Sequence, residues 1–319
     1  LPLIARVNLA ELQKQREESL QDREVSILAA ADYTKRIPTL RLYYVALEKG
    51  FYKEAGLDVT IVHPSASNSA INQLKNGTSD FVTMQLQQAL IEIDNGLKLV
   101  NILQTMQNSG LLIMPRHEKI SSMNDLKGKR VGIWKVGFGD YALMVDKEHN
   151  LEIEWIPFVQ NINLFISGVI DATLAMSYNE ILQIRAAGYD ISTAISIADE
   201  GYDFPEDGLY VSEDYFRNNP QTVKAFADAS RKGWEWAQEH PEETLEIVME
   251  KTHSNNIATN RTHQKWMLEE VLKLNKDTEI GTATYTLKSD QVRRLSDLLV
   301  KHGMISKPVT YETITGQTL

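Results

Sequence analysis

Short apolar runs and amphipathic runs alternate along most of the chain. VSILAAA (25–31) is continuously apolar, which suits a strand buried on both faces. A helical stripe then runs from about Thr39 through Leu42, Val45, Ala46 and Lys49 to a C-terminal Gly50. LDVTIV (57–62) alternates as a strand, SNSAINQLKN (67–76) reads as a helix closed by Gly77, and DFVTM (80–84) is again strand-like.

The same order recurs further on. VGIW (131–134) is a strand, Asp140 to Glu148 is helical up to Asn150, and LEIEWI (151–156) is a strand. Asn161 to Ser167 is helical up to Gly168, and DATLAM (171–176) is a strand. KEAGLDVTIVHP (53–64) aligns with KEHNLEIEWIPF (147–158) at an offset of 94, and QLKNGTSDFVTM (73–84) aligns with LFISGVIDATLA (164–175) at 91. A βαβαβ unit used twice implies two mostly parallel sheets. Chance likeness between two αβ corners is the competing explanation, because such corners commonly end in Gly.

After Tyr178 the pattern is helical, apart from the short strand GLYVS (208–212). Asn219 and Pro220 stand at N-cap and N1 of a helix with Val223, Phe226, Ala227, Ser230, Trp234 and Ala237 on one stripe. The late strand is expected to return to the first lobe. The expected division is therefore a polar tether or helix at 1–24, lobe 1 at 25–113 plus 206–319, and lobe 2 at 114–205, joined by two crossings.

Composition narrows the function. The chain has 319 residues, 33 Lys and Arg, 43 Asp and Glu, and a formal net charge of −10. Such a chain is ill-suited to nucleic acid, whose affinity comes mainly from Lys and Arg. No run approaches a membrane-spanning length. The absence of Cys removes disulfides, Cys-ligated metal and Cys nucleophiles. The seven His residues form no HExxH motif and no ligand-spaced pair. No metal site and no cofactor is expected.

In open parallel sheets ligands bind at the carboxyl ends of strands. The candidate wall residues are thus Tyr33, Arg41, Asn68, Met84, Gln85, Gln88, Gln107, Asn108, Gly137, Phe138, Gly139, Asp140, Tyr178, Asn179 and Glu180. TMQNSG (105–110) reads as a polar loop leading from a strand to a helix. GFGD (137–140) exposes backbone N–H groups, although a lone Gly-x-Gly more often marks a structural turn. SYNE (177–180) joins an aromatic ring, an amide and a carboxylate; a helix-capping role for Asn179 or Glu180 competes with a binding role. Trp234, Trp236 and Trp266 lie on helical patterns and read as core.

RLYYVALEKGFYKEAGLDVTIVHP (41–64), INQLKNGTSDFVTM (71–84), DLKGKRVGI (125–133), FGD (138–140) and FISGVIDATLAM (165–176) together carry a family likeness. Over roughly residues 25–250 the chain resembles the thiamine-pyrimidine type of solute-binding proteins, which includes receptors of ABC importers and the eukaryotic hydroxymethylpyrimidine phosphate synthase. The resemblance implies a two-lobe periplasmic-binding-protein fold of type II, α/β in each lobe, with a hinge and a small-molecule ligand in the cleft. It implies an ABC permease and its ATPase as partners, and a place in the periplasm or on the outer face of the cell membrane. A lipid anchor would make 1–24 a tether, its signal segment lying outside this chain.

The synthase branch departs from this chain at the reacting groups. Where that enzyme carries its aldimine lysine and its consumed histidine, this sequence has Met84 and Gln88, and its cysteine cluster has no counterpart. Methionine cannot form a Schiff base, and glutamine cannot replace an imidazole. The expectation is a binding protein, not an enzyme. A vitamin-biosynthetic enzyme and a signalling receptor without a transporter are the alternatives.

Overall fold

The computed structural model describes residues 23–29, 38–63, 68–134, 139–158, 162–254 and 258–317, with 23–29 and 38–41 described by backbone alone. The chain divides into two compact units. Unit 1 takes the chain up to Gln107, Pro205–Gln264 and Asn275 onward; unit 2 takes Asn108–Phe204 and Lys265–Leu274.

Unit 1 is built on β1 (Arg23–Ala29), β2 (Leu57–Val62), β3 (Phe81–Gln85), β4 (Leu99–Gln104) and β10 (Asp207–Ser212), in the order β2-β1-β3-β10-β4. β1 runs parallel to β2 and β3, while β10 is antiparallel to β3 and β4. Arg23 and Glu24 pair with Leu57 and Asp58, so the sheet starts inside the segment expected to be a polar tether. Unit 2 holds β5 (Leu111–Pro115), β6 (Arg130–Trp134), β7 (Glu154–Phe158), β8 (Ala172–Met176) and β9 (Ile195–Ser196), in the order β7-β6-β8-β5-β9. Here too β6 is parallel to β7 and β8, and β5 is antiparallel to β8 and β9. The duplication extends to strand order. In each sheet the antiparallel member follows directly on a crossing from the other unit.

The aligned sequence corners have matching backbone. Gly77 and Gly168 both lie in the left-handed region (φ 64° and 79°), as do Gly56 and Asn150 (φ 72° and 50°). Asn tolerates that conformation better than other non-glycine residues, which is why it can stand in for Gly at a helix end. Asp171 is the acid of the Gly168-x-x-Asp171 unit. Its Oδ2 accepts from Arg130 N at 3.0 Å and its N–H donates to Arg130 O at 2.8 Å, fixing the start of β6.

The core of unit 1 is aromatic. Helices α1 (Pro38–Glu48), α2 (Phe51–Glu54), α3 (Ala70–Lys75) and α4 (Leu86–Asp94) follow the first strands. In unit 2 come α5 (Asp140–His149), α6 (Asn163–Ile166) and α7 (Glu180–Ala186); back in unit 1 are α8 (Glu213–Asn218) and the long α9 (Pro220–Glu239). Phe226 of α9 stacks on Phe81 of β3 with centroids 4.2 Å apart, and on Tyr52 at 5.2 Å. Trp234 meets Tyr43 edge-on at 6.3 Å. A Cβ on Gly233 would stand 2.7 Å from Ala46 Cβ, so glycine is what lets α9 approach α1. Beyond α9 come α10 (Pro241–Ser254), α11 (Arg261–Leu274), α12 (Ser289–Lys301) and α13 (Tyr311–Thr315).

Several expectations are corrected. β7 starts at Glu154, three residues late, because Leu151 and Ile153 lie outside the ladder and are buried there. The helices expected over 67–76 and 161–167 shrink to α3 and the four-residue α6. Asn219 does not cap α9 with its side chain, whose Nδ2 donates backward to Tyr215 O at 3.3 Å. The chain passes between units four times, at 107/108, 204/205, 264/265 and 274/275, because most of α11 belongs to unit 2. The first two passages also precede the expected boundaries of 113/114 and 205/206. Trp236 is half-buried, stacked on His240 at 4.5 Å with Lys49 Nζ 4.3 Å from its ring, and Trp266 is half-buried in unit 2. Among the described residues no helix is long and apolar enough to cross a membrane.

Candidate functional site

Ligand sites on open α/β sheets form at the carboxyl edge of the parallel strands. In unit 1 that edge is marked by His63, Gln85, Gln104 and the start of β10, since Asp207 pairs with Gln85 and Gly208 with Gln104. The segment expected to be a strand-to-helix loop after Gln104 joins two strands instead, and residues 104–108 are buried.

Gln104, fully buried, organises this edge. Its Nε2 donates to Met106 O and Asp207 O at 3.0 Å and to Glu206 O at 3.3 Å, and its Oε1 accepts from Asn101 Nδ2 at 3.0 Å. Asp207 O also accepts from Thr105 N, Thr105 Oγ1 and Met106 N. Leu86 N, at the start of α4, donates to Glu206 O at 3.1 Å. Asn275 Nδ2 donates to Thr105 O at 2.6 Å. These bonds bind the departing segment 104–107 to the returning segment 206–207.

Glu206 and Asp207 are 4 % and 6 % exposed, an unusual burial for adjacent carboxylates. FPEDG reads as an ordinary turn, and sequence reasoning missed both. The charge of Asp207 is felt locally. Burial raises the Tyr43 and Tyr210 phenol pKa values, and the Asp207 carboxylate adds to both shifts.

Of the expected unit 1 residues, Met84 is buried in β3, Gln85 half-buried at its end, and Gln88 exposed on α4. Asn68 is exposed, and its carbonyl accepts from Gln73 Nε2 at 3.1 Å. Arg41 lies in the first turn of α1. Gln107 is buried; its Nε2 donates to Gln104 O at 3.1 Å and Thr286 O at 3.4 Å, while its Oε1 has no partner among the described residues. Tyr33, Gly137 and Phe138 lie outside the described residues.

In unit 2 the carboxyl edge carries the turn Ser177–Glu180 after β8. Asn179 N donates to Met176 O at 3.0 Å, and Ser177 N to Gly110 O at 2.8 Å. Both oxygens of Glu180 have intrachain donors: Met176 N reaches Oε2 at 2.9 Å and Asn179 Nδ2 reaches Oε1 at 2.8 Å. Asn179 Oδ1 accepts from Gln183 Nε2 at 3.2 Å. Glu180 thus braces the turn, while the buried Tyr178 sits inside it. A Cβ on Gly110 would lie 2.9 Å from Ser177 Oγ and 3.4 Å from Tyr178 Cδ1, so glycine is what permits this packing. Ser177 Oγ is buried with no hydrogen-bond partner among the described residues. Asn108 N and Nδ2 both donate to Leu274 O, at 3.3 and 3.2 Å, and Ser109 N donates to Asp203 Oδ1 at 2.9 Å. Gly139 is buried before α5, and Asp140 lies in that helix's first turn.

Among the described residues no group of three or more His, Asp or Glu is placed to hold a metal ion.

The fold is that of solved periplasmic binding proteins. The aliphatic sulphonate binding protein SsuA of Escherichia coli superposes with a TM-score of 0.67 over 92 % of each chain at 12 % identity. In sequence, the riboflavin-binding protein RibY of Chloroflexus aurantiacus is 23 % identical over 67 % of this chain and 64 % of its own length. The formylaminopyrimidine-binding protein of Halalkalibacterium halodurans is 25 % identical over 65 % of this chain and 64 % of its own. The chain therefore matches less than two thirds of the length of these two relatives. Residues 38–244 match the NMT1/THI5 like family, and the chain belongs to that family.

Proposed function

We propose that this chain is the extracytoplasmic solute-binding component of an ABC importer, and that its solute is a flat, donor-bearing heterocycle of the aminopyrimidine type. The observation that carries the solute class is the buried pair Glu206 and Asp207 at the carboxyl edge of the unit 1 sheet. A carboxylate only accepts hydrogen bonds, so it favours N–H-rich partners and disfavours sulfonates or phosphates. Within unit 1, Met84, Gln85, Gln88 and Gln107 are proposed to meet solute; within unit 2, taken by itself, Asn108 and the braced turn Tyr178–Glu180 are the residues proposed to do so. The names of the riboflavin- and formylaminopyrimidine-binding relatives support the same reading. A membrane permease with its ATPase is the proposed partner, and a lipid tether belongs to the same reading; mass spectrometry of native protein extracted from membranes tests it.

A thiamine-pyrimidine biosynthetic enzyme on this scaffold is the competing reading. Met84 and Gln88 speak against it, since neither side chain can perform the aldimine or imidazole chemistry.

Isothermal titration with a formylaminopyrimidine, riboflavin and an alkanesulfonate tests the proposal. The formylaminopyrimidine is expected to bind, and Glu206→Gln to weaken it by about tenfold or more, as the loss of a charge-assisted hydrogen bond would. Binding of the sulfonate alone refutes the solute class, and no binding of any of the three refutes the receptor reading.

A further inference from the structure

α11 comes from the C-terminal part of the chain, beyond residues 38–244 that match the family, yet most of it belongs to unit 2. Its unit 2 part, from Trp266 to Leu274, grips the two segments that form the unit 2 edge. In its second turn, Trp266 Nε1 donates to Ser177 O at 2.8 Å. At its end, Leu274 O accepts both donors of Asn108, and Leu274 Cδ1 lies 2.9 Å from where a Cβ on Gly110 would stand. The indole packs against the cluster of Met114, Phe165, Ala175 and Ile181, with the Arg185 guanidinium 6.0 Å from its ring centre. Its N–H therefore holds a fixed direction.

Ser177 lies at the hub of the turn. Its N–H is bound by Gly110, its carbonyl by Trp266, and its buried hydroxyl has no partner among the described residues. The residues that follow, Tyr178 to Glu180, are those proposed to meet solute. We infer that Trp266 is a positioning residue: its indole N–H holds the Ser177–Glu180 turn in the solute-ready geometry. This rests on the proposed receptor function, but the positioning itself does not depend on which solute binds. A tryptophan placed only to fill space would act through its ring area. A positioning tryptophan acts through one hydrogen atom.

Trp266→Phe removes that hydrogen and keeps most of the ring. Hydrogen exchange of the solute-free full chain, read amide by amide, is the first measurement. The Ser177 and Asn179 amides are expected to exchange about fivefold to tenfold faster, the factor one net hydrogen bond supplies, while the β1–β3 ladder in unit 1 stays unchanged. A second variant carries β-(3-benzothienyl)alanine at position 266, which retains the bicyclic shape without the N–H. It is expected to reproduce the acceleration, and it decides the question if Trp266→Phe fails to fold. Unchanged exchange in the benzothienyl variant overturns the proposal. With the formylaminopyrimidine as probe, both variants are expected to bind about fivefold or more weakly, and equal affinity despite faster exchange also overturns it. A wild-type chain that binds no probe refutes the solute class, and the exchange result alone then decides the role of Trp266.

Discussion

Gly208→Ala is a small change with a large expected effect. A Cβ there would stand 2.4 Å from Gln104 Oε1 and 2.7 Å from Asn101 Nδ2, both inside any real contact distance. Asn101 is half-buried and can swing aside, but Gln104 is fully enclosed and must leave its place. Doing so forfeits its bonds to Met106 O, Glu206 O and Asp207 O. Asp207 O keeps Thr105 N and Met106 N, and Glu206 O keeps Leu86 N. The main losses are the acceptors of the two Gln104 amide protons, Met106 O among them. At about 1 kcal/mol per net hydrogen bond, plus about 1–3 kcal/mol for a buried polar group left unpaired, the cost is roughly 2–4 kcal/mol.

A chain of two units need not unfold in one step, so a global melting curve is the wrong assay. Native-state hydrogen exchange of the β4 and β10 amides reads the local opening energy, and a 2–4 kcal/mol loss accelerates it by roughly 30- to 1,000-fold. The reasoning also fixes a coupling. Once Gln104→Ala has removed the obstacle, adding Gly208→Ala should cost less than about 0.5 kcal/mol. Single-variant acceleration under about threefold, or strict additivity of the two changes, would refute the account of why glycine stands at 208.

Phe226→Ala empties the stack between Phe81 and Tyr52 and should cost about 3–5 kcal/mol, read from the urea midpoint of unit 1 amides. Gly168→Ala and Gly77→Ala both place a side chain at positive φ, costing about 1–2 kcal/mol each. Gly168→Ala should cost more, because its Cβ would also press on Arg116 Nη1 at 3.0 Å whereas the space at Gly77 is open. Asp171 loses some of its charged-state preference to burial, but the bonds from Arg130 N and the Arg130 guanidinium outweigh this and hold its pKa below the usual carboxylate value. A depressed folded pKa gives stability that is present above the unfolded value near 3.9 and lost as pH falls through the folded one. The urea midpoint of unit 2 in Asp171→Asn should therefore vary less with pH below about 4 than that of the wild type; equal slopes would remove Asp171 from that role.

Much of the scaffold is legible in the chain itself, and the reason is local. Gly56 and Asn150 end helices at equivalent corners because both accept positive φ, and their alignment survives even though β7 starts late. β3 and β8 occupy 81–85 and 172–176, a separation of 91 residues, which is the offset at which the Gly-x-x-Asp units align. What the sequence conceals is tertiary. TMQNSG looks like a surface loop because Thr, Gln and Asn favour water, yet Thr105 to Asn108 are buried where Gln104, Asn275 and Leu274 take up several of their hydrogen bonds. The amphipathic pattern of α11 announces a helix and says nothing about which unit receives it. Glu206 and Asp207 sit in a Pro- and Gly-flanked stretch whose composition signals a turn, and only the ladder with Gln85 and Gln104 reveals them at the sheet edge.

The duplicated registers show where the two halves of this scaffold diverge chemically. Asp207 stands opposite Gln85 in one sheet, and Leu111 stands opposite Met176 in the other. Gln85 and Met176 are equivalent at the 91-residue offset, so Asp207 corresponds to Leu111 and Glu206 to Gly110. One position supplies a buried carboxylate. Its counterpart supplies no side chain at all, and that vacancy admits Ser177, Tyr178 and Leu274 to close packing. The same backbone thus presents charge in one unit and a rigid, braced turn in the other. Since strand order is common to both sheets, the fold cannot be what selects a solute. Under the proposed receptor reading, selection resides in side chains set on equivalent backbone, and Glu206 is the member of the pair where exchanging chemistry should alter solute preference, since any side chain at Gly110 would displace Ser177 and Leu274.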